Sequence, residues 1–202
     1  PIAFLDDLNA VDLTILELSS FQLQDLQKSP AIALVLSITQ DHLDYHRDRA
    51  EYIEAKKSIC RHQTSDDVLI INDDCPTAKS FAVASTAQLW RFSTHREVQI
   101  GAWIAAGHIF LRYPTGPAIA ICPTSAIQVP GRHNWENICA AVTAAAAAGA
   151  QPDSMGKTIA NFHGLPHRLE YLGEHNGVAY YNDSLATTPD ATIAALRAFD
   201  RP

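Results

Sequence analysis

Glu17 closes an otherwise apolar run, Leu13-Thr14-Ile15-Leu16, and is followed by Leu18-Ser19-Ser20-Phe21-Gln22. A carboxylate ending such a run is costly unless something pairs with it. At the carboxyl end of a strand in an open α/β sheet it would face a ligand crevice. There its oxygens suit Mg²⁺ held beside nucleotide phosphates. A glutamate at a strand edge or helix cap fits the same pattern equally well. A second segment, Thr39-Gln40-Asp41-His42-Leu43-Asp44-Tyr45-His46, sets two histidines four apart, so that on a helix they could share one face. The spacing suggests a metal hydrolase, but such a site needs further ligands, and no second cluster of histidine and carboxylate supplies them. His42, nearer the preceding strand, is the functional candidate, and His46 reads as a surface histidine.

Lys56 lies within Tyr52-Ile53-Glu54-Ala55-Lys56-Lys57. By default a helical lysine is solvated. Held half-buried near a metal it would lose its proton more easily, and the free amine could capture CO₂ as a carbamate, turning a cation into a metal-binding anion. Spacing alone does not establish this. Two C-terminal segments complete the set. Gly164-Leu165-Pro166-His167-Arg168 offers His and Arg in a proline loop, and Asn182-Asp183-Ser184-Leu185-Ala186-Thr187-Thr188-Pro189 places Asp and hydroxyls before a helix N-terminus that favours anions. Each alone reads more readily as turn and capping chemistry; their joint occurrence points to a site.

The elements that must position these residues alternate in type. Asp12–Leu18 and Ile32–Ile38 are short apolar runs, as expected of strands covered on both faces. Asp48–His62 has helical length and spacing, and Val68–Asn72 is another buried strand ended by the turn-forming Asn72-Asp73-Asp74. This alternation favours right-handed βαβ units and a parallel sheet. From Leu89 to Val129 short strand-like pieces separated by Gly and Pro suggest a small antiparallel subsheet. Helices are then expected over Asn134–Gly149 and Asp153–Phe162, the latter capped by Asp153, with a strand at Val178–Asn182 and a closing helix from Pro189 to Phe199. No internal repeat interrupts this order.

With 47% hydrophobic and 18% charged residues, 202 residues are enough to bury one substantial core. The net charge of -7 leaves no basic stripe to displace counterions from nucleic acid, so a nucleotide would need a metal ion or particular basic residues. Cys60, Cys75, Cys122 and Cys139 are far apart and read as reduced thiols, not a disulfide frame or zinc site. The apolar stretch Ile138–Ala150 is too short to span a bilayer. A cytoplasmic protein without a membrane partner is expected. Pro1 at the start, and Asp200-Arg201-Pro202 directly after a helical pattern, read as cuts through a longer polypeptide.

Taken in order, ELSSFQL, DHLDYH, EYIEAKKSI, GRHNWEN, HGLPHRLE and NDSLATTPDAT resemble the central-domain signatures of the Mur ligase family. The resemblance runs from about Leu5 to Phe199. Six motifs in one order are far more specific than any single one. NDS-ATTP together with ELSSFQL looks most like the members that add glutamate.

The resemblance implies an α/β central domain over residues 1–199, mostly a parallel sheet flanked by helices, with an antiparallel subsheet at about 89–129 and a linker starting at 200–202. It implies an ATP-dependent amide ligase of peptidoglycan precursor synthesis. ATP converts the carboxylate of UDP-N-acetylmuramoyl-L-alanine to an acyl phosphate, and the amine of glutamate displaces phosphate. Carried over by motif, Glu17 and His42 would hold Mg²⁺, with Lys56 as its carbamate, and these three form the catalytic set. Asn134, Asn137, Arg168 and Asp183 would hold adenosine, with His167 beside it. Ser19 would lie near the phosphates or the muramoyl substrate, and Thr187 near the incoming glutamate. The full-length enzyme would be a monomer acting on small molecules.

Three departures qualify the match. The family's glycine-rich phosphate loop, with its strand and helix, precedes the ELSS segment and is not in this sequence, which removes the main triphosphate cradle. The family's N- and C-terminal domains are likewise not represented, so this piece alone is expected to be inactive. Leu185 stands where many glutamate-adding members have Lys, which leaves D- and L-glutamate both open as acceptor. Alternative readings are another ligase of the superfamily, such as a folylpolyglutamate synthase-like enzyme, or a non-catalytic nucleotide-binding module.

Overall fold

The computed structural model describes residues 6–9, 11–38 and 46–199. His42 and the expected linker start at 200–202 lie outside these. The described elements run, in order, α1 (Ser20–Gln24), β1 (Ile32–Val35), α2 (Arg49–Arg61), β2 (Val68–Asn72), α3 (Pro76–Lys79), β3 (Gln88–Ser93), β4 (Gly101–Ala105), β5 (His108–Arg112), β6 (Ile119–Pro123), α4 (His133–Ala147), α5 (Pro152–Asn161), β7 (Glu170–His175), β8 (Val178–Asn182) and α6 (Pro189–Leu196).

Strands β1 to β6 form one six-stranded sheet in sequential order. The pairs β1–β2, β2–β3 and β3–β4 are parallel, and β4–β5 and β5–β6 antiparallel. The alternation of side chains across the pleat sorts the core into two layers. Leu69 and Ile71 of β2, with Ala33 and Val35 of β1, pack with Cys60 of α2, Ala78 of α3 and Phe81. Ile70, Trp90, Phe92 and Ala102 point the other way and pack with Cys139, Ala140, Val142 and Ala146 of α4. Helices on both faces explain why β2 reads as a continuous apolar run. Gly101 enters β4 at φ +116°, and a Cβ there would sit 1.9 Å from the Arg91 carbonyl oxygen, so the β3–β4 pairing requires glycine.

Helix α4 is alanine-rich, which lets it lie close to the sheet. The fully buried Thr143 ties α4 to the sheet: its hydroxyl donates to the Cys139 carbonyl at 2.8 Å and accepts the Ala102 N–H at 3.0 Å. A separate two-stranded antiparallel sheet, β7–β8, turns at Asn176-Gly177, both at positive φ.

The fold class read from the sequence holds, with three local corrections. Asp12–Leu18 is not a strand; Val11 (92% exposed) and Ile15 (88%) face solvent. An apolar run becomes a strand only when a neighbour takes its backbone bonds, and among the described residues β1 is an edge strand paired only with β2. The segment Leu-Trp-Arg-Phe (89–92) belongs to the parallel part of the sheet, and the antiparallel part continues that sheet from β4 to β6. Helix α5 is capped at Gln151 with Pro152 first, so Asp153 sits in its first turn and does not cap it.

Candidate active site

The chain reaches α4 through Gly131 at φ +90°, where a Cβ would come within 2.5 Å of the His133 ring and 2.9 Å of Ala198 Cβ. The missing side chain lets the imidazole fold over the loop and brings the helix start against the end of the α6 region. Asn134 Nδ2 donates to the Pro130 carbonyl at 2.7 Å, and its Oδ1 accepts from Asn137 Nδ2 at 3.2 Å. Although its surface is largely open, partial desolvation of the His133 ring pushes it below its ordinary pKa, and the carboxylates of Asp183 and Glu136 pull it partly back. The charge of Asp183 is therefore felt at the first turn of α4.

Asp183 directly follows β8 and is half-buried, and its Oδ1 accepts the Leu169 N–H at 3.0 Å. The Leu185 N–H donates to the His167 carbonyl at 3.2 Å. Asn182 Oδ1 accepts the Ser184 N–H at 3.1 Å, so Nδ2 is the end that donates to His167 Nδ1 at 2.8 Å. His167 and Leu169 both take left-handed backbone (φ +65° and +45°), a conformation uncommon outside glycine and held here by these bonds and by the His167 N–H on Glu170 Oε2 at 2.8 Å. The 164–169 loop, the 182–188 loop and the start of α4 thus form one region. It gathers Asn134, Asn137, His167, Arg168 and Asp183, five residues proposed for adenosine from the sequence. Arg168 is exposed. Thr188 caps α6 by accepting the Ala191 N–H, which leaves Thr187 exposed beside it.

The other candidates lie around α1 and α2. Glu17 ends no strand; it is exposed, and among the described residues its carboxylate has no hydrogen-bond or ion-pair partner, so both oxygens are open to a hard cation. Ser19 is engaged in capping α1, accepting the Gln22 N–H while Gln22 Oε1 accepts its own N–H at 2.9 Å. Lys56 is half-buried with Nζ 5.1 Å from the centroid of the Tyr52 ring.

His46 is corrected. It is 3% exposed, not a surface residue, with Nε2 2.9 Å from Ser20 Oγ and its ring stacked on Phe21 and edge-on to Tyr52. Serine, histidine, tyrosine and lysine therefore form one chain of contacts from the Glu17 segment to Lys56. Among the described residues no group of three or more His, Cys, Asp or Glu is arranged to hold a metal. Glu17 has the donor chemistry for Mg²⁺, Lys56 acquires it only as a carbamate, and His42 lies outside the described residues.

His133 and Tyr52 were not singled out from the sequence, and His46 was read as a surface histidine. His133 stood inside GRHNWEN, where the preceding glycine was the available signal. The burial of His46 carried none, because Ser20 comes from a segment 26 residues away.

A family model for the Mur ligase middle domain matches residues 2–145, and the chain belongs to that family. It is 40% identical over 200 residues to the UDP-N-acetylmuramoylalanine–D-glutamate ligase of Acidobacterium capsulatum, covering 98% of this chain and 43% of that protein. It is 40% identical over 187 residues to the ligase of the same name from Bacillus subtilis, covering 92% and 40%. The chain thus spans about two fifths of the length of the curated relatives it matches. Among solved structures, it superposes on a UDP-N-acetylmuramoylalanyl-D-glutamyl-2,6-diaminopimelate–D-alanyl-D-alanyl ligase from Acinetobacter baumannii with a TM-score of 0.65 at 20% identity, covering 89% and 39%. It also matches MurF ligase from Thermotoga maritima in complex with ADP, with a TM-score of 0.60 at 18% identity, covering 84% and 39%. These structural likenesses show the fold.

Proposed function

We propose that the full-length gene product is an ATP-dependent amide ligase that adds glutamate to UDP-N-acetylmuramoyl-L-alanine through an acyl phosphate. The observation that carries this reading is 40% identity, extending over 98% of the chain, to a relative bearing the D-glutamate ligase name. The 202 residues here supply part of that enzyme and are proposed to be inactive alone.

In this reading the enzyme binds ATP, in keeping with a protein of the same fold in complex with ADP, and the region formed by α4 and the two C-terminal loops receives its adenosine. Asn134 and Asn137 present amides to the base, and Asp183 offers its remaining carboxylate oxygen to the ribose. Arg168, exposed next to His167, supplies positive charge that the chain as a whole lacks. Thr187 is assigned to the incoming glutamate and Ser19 to the phosphate or muramoyl end. Mg²⁺ would be held by Glu17, His42 and the carbamate of Lys56, and when bound would neutralise phosphate charge. The protein's contribution is chiefly positioning and electrostatic stabilisation. D-glutamate is the acceptor favoured by the relatives; Leu185, apolar and 48% exposed, is the position from which an L-glutamate specificity would arise.

Asn137→Ala tests the adenosine assignment, because among the described residues its side chain bonds only to Asn134. In the full-length product, ADP measured by titration calorimetry should bind about tenfold more weakly, the loss of one well-made hydrogen bond. Unchanged affinity in a folded variant would remove α4 from the nucleotide site.

A further inference from the structure

Asn72 closes β2 with its side chain completely buried (0% exposed), and a buried amide is retained when its hydrogen bonds are satisfied. Its Oδ1 accepts the Asp74 N–H at 2.8 Å. Only the oxygen can take that bond, so Nδ2 is the end that faces Ser37 and donates to its Oγ at 2.9 Å. With Ser37 Oγ accepting on that side, its own proton goes to Glu136 Oε1 at 2.6 Å, a length typical of a hydroxyl on a charged acceptor. The direction of the chain is therefore set, from the Asp74 N–H through Asn72 and Ser37 to Glu136.

Asp74 is itself locked. It accepts Ser93 Oγ and the Thr94 N–H, both at 2.8 Å. Burial opposes its charge, but hydrogen bonds from His95, Ser93 and Thr94 outweigh it and hold the carboxyl below its usual range. The chain of bonds thus starts in a rigid corner between β2 and β3 and ends on the first turn of α4, where Glu136 stands between Asn134 and Asn137. That turn has no side-chain cap of its own, since Arg132 makes none. Thr143 fixes the far half of α4 to the sheet, and Ser37 fixes the near half.

We propose that Ser37, aimed by the buried Asn72, is a positioning residue for the nucleotide: it holds the first turn of α4 on the sheet so that Asn134 and Asn137 meet the base. This rests on the adenosine assignment above. Ser37 and Asn72 do not touch the nucleotide. Because Ser37 is exposed, its bond to Glu136 competes with water, and the effect is several-fold and not of many orders.

The test uses the full-length product with ADP as probe, comparing Ser37→Ala, Ser37→Thr, Glu136→Gln and Asn137→Ala by calorimetry, with the KM for UDP-N-acetylmuramoyl-L-alanine in parallel. Ser37→Ala should bind ADP about three- to tenfold more weakly with the UDP-sugar KM unchanged. Ser37→Thr keeps the hydroxyl and Glu136→Gln keeps an acceptor, so both should stay within about twofold of the parent. Normal ADP affinity in Ser37→Ala alongside weakened Asn137→Ala overturns the inference and leaves the adenosine assignment standing. Normal affinity in both variants overturns the two together. Equal loss for ADP and the UDP-sugar would also overturn it, because a general loosening of the fold does not distinguish between substrates.

Discussion

Thr143→Val isolates the bond on which the placement of α4 depends. Valine keeps the shape of threonine but cannot accept the Ala102 N–H, now satisfied by Oγ1 at 3.0 Å in a site with both residues fully buried. An orphaned buried donor costs about 1–3 kcal/mol. The methyl that replaces the hydroxyl returns at most about 0.8 kcal/mol of transfer free energy. The net loss is therefore about 0.2–2 kcal/mol, or up to about 8 °C in Tm for a domain of this size. Thr143→Ser makes the converse change, keeping the hydroxyl and losing a buried methyl at about 1 kcal/mol. Thermal denaturation of the full-length product should place both variants below the parent, and the amide of Ala102 tells them apart. Hydrogen exchange should show the Ala102 amide losing protection in Thr143→Val alone. If Thr143→Val matched the parent in both measurements, the hydroxyl would not be what ties α4 to β4, and the positioning argument for the first turn would lose its anchor.

His133 should titrate below its ordinary value of 6.5, because partial desolvation of its ring disfavours the charged form. The stability this contributes is fully present above pH 6.5 and is lost as pH falls through the folded-state pKa, where the unfolded chain holds the extra proton. Asp183→Asn removes a charge that raises it, so the NMR midpoint of the ring should fall further; a midpoint at or above 6.5, or a rise in the variant, would contradict the geometry. Burial also raises the Cys60 and Cys139 thiols to about 11 and about 12. At pH 8, alkylation followed by mass spectrometry should leave both unmodified until the protein unfolds, and rapid labelling of Cys139 in the native state would show that α4 is not packed as described.

Which parts were legible in the sequence follows from whether the signal was local. Val68–Asn72 is an apolar run covered on both faces, and it became the central strand β2 as read. Asp48–His62 carried its own cap, and the helix starts at Arg49 with Asp48 accepting the Glu51 N–H. Asp12–Leu18 has the same apolar character as β2, yet only a neighbouring strand can turn that into a ladder, and a single-sequence pattern does not contain the neighbour. Strand β7 was missed because Glu170–His175 alternates weakly and is exposed on both faces; the Asn176-Gly177 turn was its remaining signal.

The site shows the same division. Motifs named Asn134, Asn137, His167, Arg168 and Asp183, and three segments converge to bring them into one region. What spacing did not reveal were contacts between remote segments. His46 is buried against Ser20, 26 residues away, and Ser37 meets Glu136 across 99 residues. Polarity alone marks both as surface residues, and only the fold shows that His46 is buried and that Ser37 ties two segments together.

The central claim is that the full-length product joins glutamate to a nucleotide-linked muramoyl peptide. Phosphate release from ATP should be measured with Mg²⁺ and bicarbonate present, supplying UDP-N-acetylmuramoyl-L-alanine with D-glutamate or L-glutamate in separate reactions. The account predicts release that requires both the UDP-sugar and D-glutamate. Release with L-glutamate instead would keep the ligase and move the acceptor assignment to the environment of Leu185. No release with either isomer, from protein shown to be folded, would contradict the account.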